Sequence, residues 1–134
     1  MNKTVGIIGG GQLGKMLLQY SSRLSINTHI YDPSELSVCK NLCDNFSIGS
    51  FMDYNKIMEF GRKCDIVTYE IEHICVQALY DLEKEGIDVY PRPHVLETIQ
   101  NKNTQKNFFR ENLLPTCDFK KYNNINTLKE DIIN

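Results

Sequence analysis

Three groups of residues have the types and spacing that chemistry needs. The first is Gly9-Gly10-Gly11-Gln12-Leu13-Gly14, a G-x-G-x-x-G run. It follows the apolar stretch Val5-Gly6-Ile7-Ile8 and precedes a helical repeat, the context in which the run has mechanical meaning. Glycines let a strand turn sharply into a helix and let a phosphate approach bare backbone. The helix N-terminus adds unpaired N–H groups and the positive end of its dipole. The same run also fits a tight turn that only packs strand against helix, so by itself it leaves both readings open.

The second group is Tyr69-Glu70-Ile71-Glu72-His73, directly after the apolar Asp65-Ile66-Val67-Thr68-Tyr69. This puts Glu70 at the carboxyl end of a strand, the edge where open parallel sheets bind ligands. If the extended geometry continues, alternation sets Glu70 and Glu72 on one side. A carboxylate there can accept hydrogen bonds from an amine or a ribose hydroxyl. Glu72 and His73 equally suit a solvated loop. The third group is Lys102 and Lys106, spaced i, i+4 and so on one face of a helix, either opposite a polyphosphate or as a solvated basic face.

A dinucleotide site would add an acid about twenty residues beyond the glycines. Asp32 lies 18 residues after Gly14, so that spacing is met. Pro33, directly after the acid, stiffens the place where an adenosine ribose would lie. No substrate domain follows within the roughly 90 residues of this pattern.

The elements that must carry these groups follow from periodicity. Residues 5–8 predict a buried strand, and 12–24 an amphipathic helix in which Leu13, Met16, Leu17, Tyr20 and Leu24 recur at helical spacing. Residues 28–31 predict a second strand stopped by Asp32-Pro33, and 47–49 a short edge strand. A helix over 53–62 takes Asp53 as N-cap. A strand over 65–69, a helix over 74–85 ended by Gly86, and a strand over 87–90 closed by Pro91-Arg92-Pro93 complete the pattern. Alternating strands and helices imply an α/β fold, Rossmann-like, with a parallel sheet and helices on both faces. From His94 the sequence turns polar, rich in Asn and Lys and mostly helical to Asn112. Its tail begins a helix near Thr127 and stops, as a piece of something longer would. The expected division is a domain over 1–93 and a helical stretch over 94–134.

Composition limits the function classes. The 134 residues are 41% hydrophobic and 24% charged, with net charge -2, an ordinary globular balance without the clustered basic charge that nucleic acid or an anionic membrane would call for. No apolar run approaches the ~20 residues of a membrane span. The five cysteines lack a Cys-x-x-Cys pair, which favours reduced structural thiols over a zinc site and makes the cytoplasm the expected compartment.

Taken together, these places resemble the 5-(carboxyamino)imidazole ribonucleotide synthase family of ATP-grasp enzymes in purine biosynthesis. The likeness runs from Gly6-Ile7-Ile8-Gly9-Gly10-Gly11-Gln12-Leu13-Gly14-Lys15-Met16 through Asp32-Pro33 to Cys64–His73. It continues over Val89-Tyr90-Pro91-Arg92-Pro93, Ile99–Lys106 and Leu114-Pro115-Thr116. The resemblance implies a pre-ATP-grasp domain over 1–93 and the beginning of an ATP-grasp domain over 94–134. It implies an enzyme that uses ATP and Mg2+ to activate bicarbonate and carboxylate the exocyclic amine of 5-aminoimidazole ribonucleotide, and a homodimer through this domain. Substrate-binding residues would be Gly11, Gln12, Leu13 and Glu70, the loop amides holding the ribose phosphate and Glu70 meeting the aminoimidazole. Lys102 would contact ATP phosphate. Lys15 stands where the family usually has Arg, keeping the charge but losing the bidentate fork.

By the same resemblance, the metal ligands and phosphoryl-transfer residues belong downstream of position 134. This stretch would then hold no catalytic or metal-binding residue and would be inactive alone. Two alternatives are a fragment of the formate-dependent glycinamide ribonucleotide transformylase, which usually carries Glu where Gln12 stands, and a free-standing Rossmann-type nucleotide-binding module.

Overall fold

The run Val5–Ile8 is apolar without alternation because its strand is covered on both faces, as in the middle of a parallel sheet. Successive strand residues point to opposite sides, and Ile7 and Ile8 are buried in two different clusters. The strands are β1 (Thr4–Ile8), β2 (Asn27–Asp32), β3 (Asn45–Ile48), β4 (Ile66–Tyr69) and β5 (Asp88–Tyr90). In the computed structural model, which describes residues 3–133, they form one parallel sheet in the order β3-β2-β1-β4-β5. This is the order of a half-wound dinucleotide-type fold, reversing direction at β1. Met1, Asn2 and Asn134, the ends of the sequence-based reading, lie outside the described residues.

Helices α2 (Tyr54–Gly61) and α3 (Val76–Lys84) cover one face. Their core joins Ile57, Phe60, Leu79 and Leu82 to Ile8, Tyr31, Val67 and Val89 of the strands. A side chain on Gly61 would collide with Leu82, so glycine permits the close approach of α2 and α3. Asp53 caps α2, its Oδ1 accepting from the Lys56 amide at 3.1 Å, and Gly86 ends α3 with φ +90°. On the other face, α1 (Gln12–Arg23) and the turns of residues 34–44 cover Ile7, Leu18, Ile30 and Cys39. His29, buried in β2, has its Nε2 2.8 Å from Ser47 Oγ and stacks edge-on to Phe60. Burial, then the Lys63 charge, lowers its pKa.

The apolar stripe of α1 faces outward. Leu13, Met16, Leu17, Tyr20 and Leu24 are between 42% and 70% exposed, whereas Gly14 and Leu18 turn to the sheet. The helix lies close because a side chain on Gly14 would strike the Gly9 carbonyl. A pattern of large apolar residues does not register a contact made through a missing one.

The chain divides into two units, residues 1–97 and 98–134. The predicted helical stretch 94–112 is two helices, α4 (Pro93–Gln100) and α5 (Lys102–Glu111). Asn101 separates them because its side chain accepts from the amides of Asn103 and Thr104, at 3.0 and 3.2 Å, and so starts a new helix. α6 (Ile125–Ile133) completes the described chain. Among the described residues no helix is long and apolar enough to cross a membrane.

Candidate functional site

The carboxyl end of β1 meets that of β4 at the switch point of the sheet, where a crevice opens in folds of this order. β1 turns there into the glycine loop. The chain leaving β4 makes one more ladder bond, from the Glu70 amide to the Ile8 carbonyl at 3.1 Å. Glu70 therefore stands beside the loop. A Cβ on Gly9 would lie 2.5 Å from Glu70 Oε1, and Gly9 also has φ +114°, a conformation that favours glycine. Glycine at position 9 is thus required twice, by its dihedral and by the acid against it.

The extended run stops at Glu70, because β1 has already turned away and offers no partner. The alternation that would set Glu72 beside Glu70 is accordingly broken. The Ile74 amide bonds instead to the Glu72 carbonyl at 3.1 Å, and the exposed Glu72 carboxylate lies 3.7 Å from His73 Nε2.

Each amide of the loop has a distinct destination. Gly9 donates to the Tyr31 carbonyl at 2.9 Å, which ties the turn to β2. Gly10 donates to Asp32 Oδ2 at 2.8 Å. The Gly11 backbone lies beside the Glu70 carboxylate, and its amide pulls the carboxylate's pKa down against burial, the larger effect, and the Asp32 charge; the result is a raised pKa. Gln12 and Leu13 occupy the first positions of α1, whose opening N–H groups have no partner within the helix. Gly11 caps that helix without a side-chain bond. The arrangement therefore offers successive amides at Gly11, Gln12 and Leu13, with one carboxylate at their edge.

Asp32 does not stand open toward a ribose. Its second oxygen, Oδ1, accepts from the Ser34 amide at 2.8 Å. Ser37 Oγ donates to the Gly10 carbonyl at 2.8 Å, and Cys39 Sγ lies 3.7 Å from the Gly11 carbonyl. Ser37 and Cys39 were not picked out as site residues from sequence; only the turn chemistry of Asp32-Pro33-Ser34 hints that the chain folds back there. Burial raises the Cys39 thiol pKa.

The structure thus brings together Gly11, Gln12, Leu13 and Glu70. Lys102 belongs to the second unit, at the first position of α5, where its Nζ donates to Gln105 Oε1 at 3.2 Å. Lys106 Nζ donates to Thr116 Oγ1 at 2.5 Å and to Cys117 Sγ at 3.0 Å. The hydrogen bond and charge of Lys106 lower the Cys117 pKa. All five cysteines are free thiols. Among the described residues no three His, Cys, Asp or Glu side chains cluster as a metal cage would require.

Comparison with known proteins agrees with this fold. Residues 1–100 match the family of the ribonucleotide synthetase preATP-grasp domain. The chain is 36% identical over 127 residues to the chloroplastic phosphoribosylaminoimidazole carboxylase of Vigna aconitifolia, covering 95% of this chain and 23% of that protein. Among solved structures it resembles the N5-carboxyaminoimidazole ribonucleotide synthetase of Thermotoga maritima, with TM-score 0.87 and 34% identity, over 96% of this chain and 36% of that one. It also resembles the N5-carboxyaminoimidazole synthase of Aspergillus clavatus, solved in complex with ADP and 5-aminoimidazole ribonucleotide. There the TM-score is 0.80 and identity 34%, over 87% of this chain and 31% of that one. The chain spans about a quarter or less of the length of the curated relatives it matches, 23% of the Vigna protein and 19% of the Candida albicans one.

Proposed function

Because this chain belongs to the ribonucleotide synthetase preATP-grasp domain family, we propose that it is the substrate-binding part of an ATP-dependent ligase in cytoplasmic purine biosynthesis. The ligase joins bicarbonate to the exocyclic amine of 5-aminoimidazole ribonucleotide. Residues 1–93 form its pre-ATP-grasp domain and 94–134 begin its ATP-grasp domain. One observation carries the reading: Glu70 stands against a glycine loop whose successive amides open at the switch point of the sheet.

In this reading the amides of Gly11, Gln12 and Leu13 hold the ribose 5-phosphate. The helix N-terminus supplies positive potential without a mobile side chain. Glu70 gives up the Gly11 amide to the incoming anion and turns its carboxylate to the aminoimidazole. There it orients the amine by accepting its N–H. Lys102 meets an ATP phosphate as a point charge. ATP supplies the phosphoryl group that activates bicarbonate. In this reading the Mg2+ ligands and phosphoryl-transfer residues belong to the remainder of the ligase, of which this chain matches about a quarter, and residues 1–134 are inactive by themselves. The outward apolar stripe of α1 supports a homodimer through this domain, since large exposed apolar patches mark association sites.

Saturation-transfer NMR with 5-aminoimidazole ribonucleotide and with NAD tests the proposal. The expected result is transfer to the ribonucleotide and none to NAD. Transfer to NAD alone would replace the reading with that of a dinucleotide module.

A further inference from the structure

The acid at the end of β2 raises a question that the phosphate cradle leaves open. A carboxylate so near an anion site is electrostatically costly, and Asp32 also contributes to keeping Glu70 hard to ionise. Its bonding explains its presence. Oδ2 accepts from Gly10 and Oδ1 from Ser34, both at 2.8 Å. From the other side Ser37 Oγ donates to the Gly10 carbonyl at 2.8 Å and accepts from the Cys39 amide at 3.3 Å. Gly10 is therefore gripped on both sides by the segment ending and following β2, at the N–H of the peptide before its Cα and at the C=O of the peptide after it, which is the peptide that carries the Gly11 N–H. A side chain on Gly10 would run into Ser37 and approach Asp32, so the fit leaves no slack. Gly10 immediately precedes the N-cap of α1. Its orientation sets the direction in which the next three N–H groups point.

We propose that Asp32 is a positioning residue: with Ser37 it aims the amides of Gly11, Gln12 and Leu13 at one phosphate group, and in doing so is withdrawn from ribose binding. An acid at this place in dinucleotide-binding loops holds ribose hydroxyls. Here both oxygens are engaged by backbone, and the 33–37 turn is bonded against the loop. The same device that shapes the cradle thus fits it to a phosphate monoester and closes it to a dinucleotide. The inference rests on the phosphate-cradle reading above.

The test replaces Asp32 by Asn in the 134-residue chain and follows two readouts together. Asn has a single side-chain acceptor, and its NH2 opposes the second amide, so one of Gly10 and Ser34 is left unpaired. The proton shifts of the Gly10 and Ser34 amides report which bond is lost, a spectroscopic signature that general destabilisation does not mimic. Affinity is measured by calorimetry with 5-aminoimidazole ribonucleotide and with ribose 5-phosphate. With the Gly10 shift moved upfield, affinity for both should fall about 10-fold, the size expected from losing a charge-assisted bond.

A Gly10 amide that has moved while affinity stays within about 2-fold of wild type would overturn the inference and leave the cradle standing. If D32N does not fold, Ser37→Ala carries the test, removing the grip on the Gly10 carbonyl and leaving Asp32 in place. A loss of about 3-fold is then expected, and unchanged affinity overturns the inference. Wild-type chain that binds neither ligand would refute the cradle itself, and the positioning role with it.

Discussion

Gly9 and Gly11 are two residues apart in the same loop, yet they answer to different constraints. A methyl group on Gly9 would meet Glu70 Oε1 at 2.5 Å and Cγ at 2.6 Å, on a backbone with φ +114°. On Gly11 it would meet only Glu70 Oε1, at an ordinary 3.5 Å, with φ -79°. Gly9→Ala should therefore cost on the order of 3 kcal/mol in folding. Gly11→Ala should cost under ~1 kcal/mol yet weaken binding of 5-aminoimidazole ribonucleotide, because the methyl occupies the side from which a phosphate approaches. Urea denaturation and calorimetry on both variants separate the two effects; equal destabilisation would remove the distinction. Glu70 makes a second prediction. Its raised pKa, from burial first and Asp32 second, means the folded chain keeps a proton that the unfolded chain releases near pH 4.5. Stability from this group therefore falls as pH rises from about 4.5 through the folded value. Glu70→Gln keeps an oxygen for the Gly11 amide and removes the charge. Its advantage over wild type in thermal unfolding should grow across that window and then level off. An advantage that does not vary with pH would contradict a strained carboxylate. The glycines and Glu70 were readable in sequence because a special turn and a strand end mark them. The bonds of Asp32 were not, since one acid at one spacing serves a ribose or a backbone amide equally well, and only the path of residues 33–39 decides between them.

At the scale of elements, α1 carries the contrast. Leu17 and Leu18 are adjacent in sequence; Leu18 is 4% exposed among Ile7, Ile30 and Cys39, while Leu17 belongs to the outward stripe. Leu18→Ala should cost about 2–4 kcal/mol through lost burial and the cavity left behind. Leu17→Ala should cost less than ~1 kcal/mol in the isolated chain. Denaturation at low protein concentration gives both numbers, and the reverse order would mean that the helix is rolled onto its other face. Leu17→Glu should leave the monomer folded and lower self-association in sedimentation velocity; unchanged association would place any dimer contact elsewhere. Periodicity predicted this helix over 12–24, against Gln12–Arg23 in the structure, as it predicted the five strands, the edge strand at 47–49 against Asn45–Ile48, and the capped helix α2. It did not give the helix its orientation. The large apolar residues form one stripe, but the contact with the sheet runs through Gly14 and Leu18, where closeness depends on the absence of a side chain. The break between α4 and α5 was hidden for a related reason: Asn101 lies among other polar residues, and its capping bonds to Asn103 and Thr104 exist only once the chain has turned.

For the whole molecule, the two units differ in what holds them. Residues 1–97 contain both hydrophobic clusters, from Ile7 to Leu96. Among the described residues of 98–134 none is buried, and Phe108, Leu113, Leu114, Ile125 and Ile132 are all substantially exposed. Ordering a residue costs about 1–2 kcal/mol of backbone entropy, and apolar burial is the main contribution that offsets it. The second unit has caps and surface ion pairs instead, such as Asn101 on α5 and Lys120 with Asp131. Pairs of that kind contribute about 0–1 kcal/mol each. Local opening in 98–134 should therefore be far cheaper than in the sheet. Brief trypsin treatment should cut after Lys102, Lys106, Arg110, Lys120, Lys121 or Lys129 well before it cuts after exposed lysines of the first unit, such as Lys40. A resistant core ending near residue 100 would remain. Amide exchange should give the same division, with slow exchange confined to β1, β2, β4 and the helices against them. Addition of 5-aminoimidazole ribonucleotide should slow exchange at Gly11, Gln12 and Leu13 and leave 98–134 as fast as before, because the cradle lies wholly in the first unit. Protection spreading instead to α5 or α6 would show that the ligand engages the second unit as well.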